Sequence, residues 1–108
     1  MKIRNIISLL VIVAAAVIFG VSCTKNGGGD TSSLYVPTSA DATANATLQE
    51  LTQGRALYIS NCNACHQLYN PDNYTPTQWR SIVSTMGPRT SMSSTDIQLV
   101  TKYLTRGN

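Results

Sequence analysis

The chain has 108 residues, a formal net charge of +3 and 43% hydrophobic residues, which leaves room for one small domain and excludes a large multidomain enzyme. Two of its eight basic residues lie in the first four positions, and the other six are spread among five acidic residues. Because these charges form no basic cluster or stripe, the sequence argues against nucleic-acid binding.

The first 22 residues have the pattern of an export signal. Lys2 and Arg4 give a positive start, and an apolar run interrupted only by Ser8 and Gly20 extends to Val21. The run is short for a membrane span, which needs about 20 residues, and small residues follow it, so cleavage is favoured over anchoring. We therefore expect residues 1–22 to be a signal peptide that sends the protein to the periplasm or cell envelope of a bacterium.

Cys23 directly follows this signal, in the sequence Gly20-Val21-Ser22-Cys23. This sequence resembles the lipobox of bacterial lipoproteins, which implies that Cys23 is lipidated and becomes the first mature residue, although Gly20 stands where Leu is commonest. Plain secretion is the alternative, because Gly20 and Ser22 also suit an ordinary signal peptidase. We favour a lipid anchor in the membrane, since an exposed cysteine at the start of a secreted chain is reactive.

Residues 23–46 have the composition of a flexible tether. They are rich in Gly, Ser, Thr, Ala, Asn and Asp, and their only large apolar residues are Leu34, Tyr35 and Val36. A segment of this kind buries too little apolar surface to order itself. The folded domain is therefore expected in residues 47–108.

Three helical patterns and no alternating strand pattern occupy residues 47–108, which predicts an all-α fold. The first pattern covers residues 48–60, and one face of it carries Leu48, Leu51, Arg55 and Tyr58. An all-α domain of this size has a small core and needs further stabilisation, for which a cofactor is the expected source.

The second and third patterns carry their own start and stop signals. Thr75 is the predicted N-cap of the second, with Pro76 at the first helical position and Gln78 completing a capping box. Ser93 and Asp96 form the same pair for the third. The predicted core faces are Trp79, Ile82, Val83 and Met86 in the second helix, which ends at Gly87-Pro88, and Ile97, Val100, Tyr103 and Leu104 in the third.

Cys62, Cys65 and His66 form the pattern C-x-x-C-H, the attachment sequence for c-type haem. The two thiols are expected to bind the haem covalently and the imidazole to ligate its iron. A thioredoxin-like dithiol would need an α/β pattern, a structural zinc site would need a fourth ligand, and a disulfide between the two cysteines would leave His66 unexplained. The motif, together with an export signal, favours one covalent haem c.

Residues 47–108 resemble the small class I-like cytochromes c. The resemblance rests on Gly54-x-x-x-Tyr58 before the C-x-x-C-H motif, a downstream methionine, and a final helix containing Asp96 and Tyr103. It implies that the first and last helices cross near Gly54 and Tyr103. It also implies electron transfer between redox protein partners, with a haem subunit of a larger oxidoreductase complex as the alternative.

Two methionines of the mature chain, Met86 and Met92, compete for the sixth coordination position of the iron. His66 is the only histidine, so coordination by two histidines of one chain is excluded. Met92 immediately precedes the Ser93 cap, where an apolar residue commonly packs against the helix. The resemblance favours Met86, which lies ten residues before Asp96, although its helical spacing from Val83 also suits core packing.

Trp79 is a further candidate for the cofactor site, because the resemblance implies that its indole N–H donates to a haem propionate. Packing against the haem is the alternative. Pro71 and Pro76 are both candidates for the carbonyl that orients the His66 ring. A sensor or peroxidase-like site with an open sixth position is less favoured, because a distal histidine is lacking and Met86 is expected on the iron.

Overall fold

The computed structural model describes residues 30–63 and 67–108. Within these residues three α-helices form the fold, α1 (Leu48–Cys62), α2 (Pro76–Met86) and α3 (Ser94–Thr105). Single-turn 3₁₀ helices lie at Ser39–Asp41, Pro71–Asn73 and Gly87–Arg89. The described residues contain no β-strand beyond an isolated bridge between Thr43 and Ala46. The prediction of an all-α fold is therefore confirmed.

Each of the three helices begins with a reciprocal capping box. At the start of α1, the Thr47 hydroxyl accepts a hydrogen bond from the Glu50 backbone N–H at 3.2 Å, and the Glu50 carboxylate accepts one from the Thr47 N–H at 2.9 Å. The predicted boxes of α2 and α3 are confirmed at Thr75 with Gln78 and at Ser93 with Asp96. These bonds satisfy N–H groups that a helix start leaves without intrahelical partners.

Helices α1 and α3 cross at Gly54, as the family resemblance implies. A Cβ atom at Gly54 would lie 2.1 Å from the Leu99 carbonyl oxygen and 2.9 Å from the Tyr103 Cβ. Only glycine permits this separation of the two backbones. The core around the crossing consists mainly of Leu34, Leu51, Tyr58, Trp79, Val83, Val100, Tyr103 and Leu104.

A Gly54→Ala variant is expected to unfold at clearly lower urea concentration than the wild type. Relief of the backbone contact requires the helices to separate, and overpacking of this kind costs about 3 kcal/mol. Intrinsic helix propensity alone predicts the opposite sign, a gain of about 1 kcal/mol. Gln53→Ala, at the exposed neighbouring position of α1, is the matched control. Equal urea midpoints for the two variants would show that the crossing tolerates a methyl group.

Residues 30–46, here called the N-terminal segment, dock against the helices. Leu34 and Ala46 are 4% and 1% exposed. The Tyr35 carbonyl accepts hydrogen bonds from Arg55 Nε at 3.0 Å and from the Tyr103 hydroxyl at 2.8 Å. The guanidinium of Arg106 stacks over the Tyr35 ring, 3.9 Å from its centroid.

The expectation of a flexible tether is therefore corrected for the N-terminal segment. The composition of the segment predicted disorder. In the structure, two buried apolar side chains and the hydrogen bonds from helix residues to its polar backbone hold it in place. Residues 24–29 of the predicted tether and the predicted signal peptide lie outside the described residues, as does Cys23. No helix within residues 30–63 and 67–108 has the length and hydropathy of a membrane span.

Candidate functional site

An apolar cavity of about 230 Å³ lies among the three helices and the chain that joins them. Its walls include Tyr58 and Cys62 from α1, Val83 from α2, and Val100 and Leu104 from α3. None of the described residues that line it carries a charge. Tyr69 and Met86, which also line it, are 45% and 41% exposed, so the cavity reaches the protein surface.

The cavity brings together three of the predicted site residues, Cys62, Trp79 and Met86. Cys62 is the last residue of α1, which extends two residues beyond the predicted helix and so carries the first cysteine of the motif to the cavity wall. Cys65 and His66, which complete the motif, lie outside the described residues. Their roles remain predictions.

Trp79 is buried in the cavity wall, with 2% of its surface exposed. Its indole N–H donates to the Pro71 carbonyl oxygen at 2.7 Å. Within the described residues this donor therefore has a backbone partner, and its role as a donor to a haem propionate stays a prediction. The side chain contributes to the cavity as an aromatic wall, which was the alternative reading of the sequence.

Both candidate sulfur ligands line the same cavity. Met86 is the last residue of α2, and its exposure argues against a role in core packing. Met92 is half-buried and packs against the core, immediately before the Ser93 cap of α3. Met86 is thus more exposed than its place on the predicted core face implies, and the choice of ligand remains a prediction.

Three tyrosines of the cavity wall were not singled out as site residues by the sequence. The rings of Tyr69 and Tyr74 meet edge to face at 5.6 Å, and Tyr74 meets Trp79 in the same way at 4.9 Å. Tyr58 continues this row, 6.3 Å from Trp79. The spacing of Tyr58, four residues before Cys62 on one helix face, was an available signal, whereas Tyr69 and Tyr74 lie in an irregular segment without periodicity.

The Tyr58 hydroxyl is a fixed, protonated group in this wall. It accepts a hydrogen bond from the Tyr69 N–H at 3.0 Å and donates to the Tyr69 carbonyl oxygen at 3.1 Å. Burial raises the pKa of Tyr58 to about 12, since the anion would lose its hydration. The hydroxyl therefore keeps its proton throughout the physiological pH range.

The described lining fits a haem. A porphyrin ring is flat and apolar, and aromatic and aliphatic side chains without charge suit its faces. Cys62 supplies a thiol at the wall, and Met86 and Met92 supply thioether sulfurs of the kind that ligate haem iron in c-type cytochromes. One thiol, two thioethers and several aromatic rings thus border a single cavity, a lining compatible with a covalently held haem.

An all-α domain that places a C-x-x-C-H cysteine on such a cavity has the features of a c-type cytochrome. The chain is 38% identical over 53 residues, or 49% of its length, to cytochrome c-type protein TorY of Haemophilus influenzae, and this match covers 14% of the relative. It is 43% identical over 42 residues, or 39% of its length, to the protein of the same name in Escherichia coli, covering 12% of that relative. These similarities support a c-type cytochrome.

The matched part of the chain thus spans about one eighth of the length of these curated relatives. No protein-family model and no solved structure matches the chain.

Proposed function

We propose that the chain is a monohaem c-type cytochrome that transfers single electrons between protein partners. The observation that supports the proposal is the position of Cys62, the first cysteine of the C-x-x-C-H motif, on the wall of an uncharged, aromatic-lined cavity. Cys62 and Cys65 would hold the haem covalently, with His66 and Met86 as iron ligands. The haem supplies the Fe(III)/Fe(II) couple when bound, and the apolar wall excludes water and so influences its potential.

Expression of the full chain in a bacterium that attaches haem c outside its cytoplasm tests this proposal. We expect an intact mass increased by one haem, a covalent haem spectrum that survives denaturation, and reversible one-electron reduction. A purified chain with no covalent haem, or with a haem that undergoes no reversible reduction, would contradict the proposal. The haem count also tests the monohaem assignment directly.

A second candidate function is that of a haem c subunit fixed within a larger oxidoreductase complex. It is favoured by the lengths of the relatives, since the matches cover only 14% and 12% of them. A haem domain of this type is therefore found within longer proteins. Purification from the native membrane distinguishes the two candidates, because a fixed subunit co-elutes with its partner at constant stoichiometry and a mobile carrier elutes alone.

We further propose that residues 1–22 are removed on export and that Cys23 anchors the protein to a membrane through lipid. Six residues, 24–29, separate Cys23 from the docked N-terminal segment. Even fully extended, a link of this length spans only about 20–25 Å. The haem domain would therefore remain close to the membrane surface, with a shorter reach than a tether ending at residue 46 would give.

Cys23→Ser is expected to leave the haem domain intact and to move it from the membrane to the soluble fraction. The substitution replaces the thiol to which lipid would be attached. Because Cys23 precedes the docked segment by several residues, the fold of the haem domain should be unaffected. Fractionation and intact mass of the exported protein check both points. Equal amounts of processed wild type and variant in the membrane fraction would count against lipidation.

A further inference from the structure

The backbone that follows the C-x-x-C-H motif is held by the side chain of Tyr58. The hydroxyl of this residue bonds both polar backbone groups of Tyr69, at 3.0 Å to the nitrogen and 3.1 Å to the oxygen. Tyr58 lies one helical turn before Cys62 in α1. One side chain thus ties the helix that enters the motif to the chain that leaves it.

The next residue, Asn70, is held independently. Its Oδ1 accepts the Tyr35 backbone N–H at 2.7 Å, and its Nδ2 donates to the Ser33 carbonyl oxygen at 3.1 Å. The Asn70 N–H in turn donates to Asn73 Oδ1 at 2.7 Å. Two consecutive residues after the motif are therefore fixed, one to α1 and one to the N-terminal segment.

This attachment bears on the cavity because Tyr58 and Tyr69 both line it. Tyr69 stands at the exposed end of the row of rings that continues through Tyr74 and Trp79. A displacement of the Tyr69 backbone would move the end of that row and admit water beside the cavity. The Tyr58 hydroxyl is therefore placed to control solvent access to one wall.

We propose that Tyr58 is a positioning residue of the cofactor site, whose hydroxyl fixes the Tyr69 backbone and limits the entry of water along that wall of the cavity. The inference rests on the proposed function, because it assigns to Tyr58 an effect on the haem that the cavity would hold. Hydration beside a haem stabilises its more charged ferric form, so loss of the hydroxyl lowers the reduction potential.

Tyr103→Phe provides a matched control for Tyr58→Phe. Tyr103 is also buried, its ring lies 5.9 Å from that of Tyr58, and its hydroxyl also donates to a backbone carbonyl, that of Tyr35, at 2.8 Å. It does not line the cavity. Each variant therefore removes one buried, hydrogen-bonded hydroxyl from the same part of the core, and only one of them removes it from the cavity wall.

The experiment compares the two variants as full-length proteins carrying covalent haem. In Tyr58→Phe we expect at least tenfold faster hydrogen exchange of the Tyr69 amide, measured by NMR in the ferrous state, and a lower reduction potential. In Tyr103→Phe both quantities should equal those of the wild type. An unchanged potential in Tyr58→Phe, or the same shift in both variants, would overturn the inference.

Two further results separate this inference from the proposed function. A wild-type chain that carries no covalent haem contradicts the proposed function. If the wild type carries haem but Tyr58→Phe has the same reduction potential, only the positioning role is contradicted. If Tyr58→Phe does not accumulate, the hydrogen-exchange rate of the Tyr69 amide in the wild-type protein tests the inference. A Tyr69 amide that exchanges as fast as an exposed loop amide would overturn the inference.

Discussion

The exported chain with Cys62→Ala and Cys65→Ala together is expected to lose both its covalent haem and its cooperative fold. The cavity of about 230 Å³ is bordered by Trp79, Val83, Val100 and Leu104, which are also core residues. Without haem, the apolar side chains of this surface-connected cavity would face water, and each large apolar side chain left exposed forgoes about 1.5–3 kcal/mol of burial free energy. Native domains are stable by only about 5–15 kcal/mol. The protein without haem is therefore expected at or below the limit of stability.

Circular dichroism of the double variant, recorded through a thermal scan, provides the measurement. We expect reduced helix content and a broad, weakly cooperative transition, compared with a sharp transition for the wild type. Cys23→Ser is the matched control, because it removes a cysteine outside the proposed haem domain and should keep both the haem and the sharp transition. Native helix content with cooperative melting in the haem-free variant would show that the three helices form a sufficient core by themselves.

The helices were predictable because their signals are local. The N-caps of α2 and α3, Thr75 and Ser93, depend on residues only three positions apart. The crossing at Gly54 was also foreseen, although only through the family resemblance, since the contact with Leu99 joins residues distant in sequence. The end of α1 was predicted at residue 60, two residues too early, because the sequence has no clear helix stop signal between residue 60 and Asn63.

The N-terminal segment was missed because its order comes from distant partners. Arg55 and Tyr103 bond the Tyr35 carbonyl from two helices, and neither contact leaves a trace in local composition. Trp79 was predicted in part. Helical spacing correctly predicted that its side chain is buried, but it did not predict that its indole N–H donates to the Pro71 carbonyl. Periodicity identifies which side of a helix faces inward, but it does not identify the polar atom that a buried donor will meet.

The second large effect concerns the sixth iron ligand. Substitution of Met86 should change the haem spectrum, whereas substitution of Met92 should leave it unchanged. Both line the cavity, but Met86 is 41% exposed at the end of α2, whereas Met92 is half-buried against the core. We expect Met86→Ala to lose the weak long-wavelength ferric band of sulfur ligation and to open the iron to water and carbon monoxide. Met86→His should instead give a low-spin spectrum and a lower potential, because a thioether stabilises ferrous iron relative to an imidazole.

Met92→Ala is the matched control, since it removes the other methionine of the same cavity. It should cost on the order of 1 kcal/mol of stability, the value of an apolar contact beside a helix cap, and leave the haem spectrum unchanged. Visible spectra of each variant with and without carbon monoxide, together with urea unfolding, make the comparison. If Met92→Ala rather than Met86→Ala abolishes the sulfur band, the ligand is carried by the segment before α3, and Met86 is only an exposed side chain at the cavity edge. If the wild type itself binds carbon monoxide as readily as Met86→Ala, neither methionine holds the iron, and the open-site alternative replaces the electron carrier.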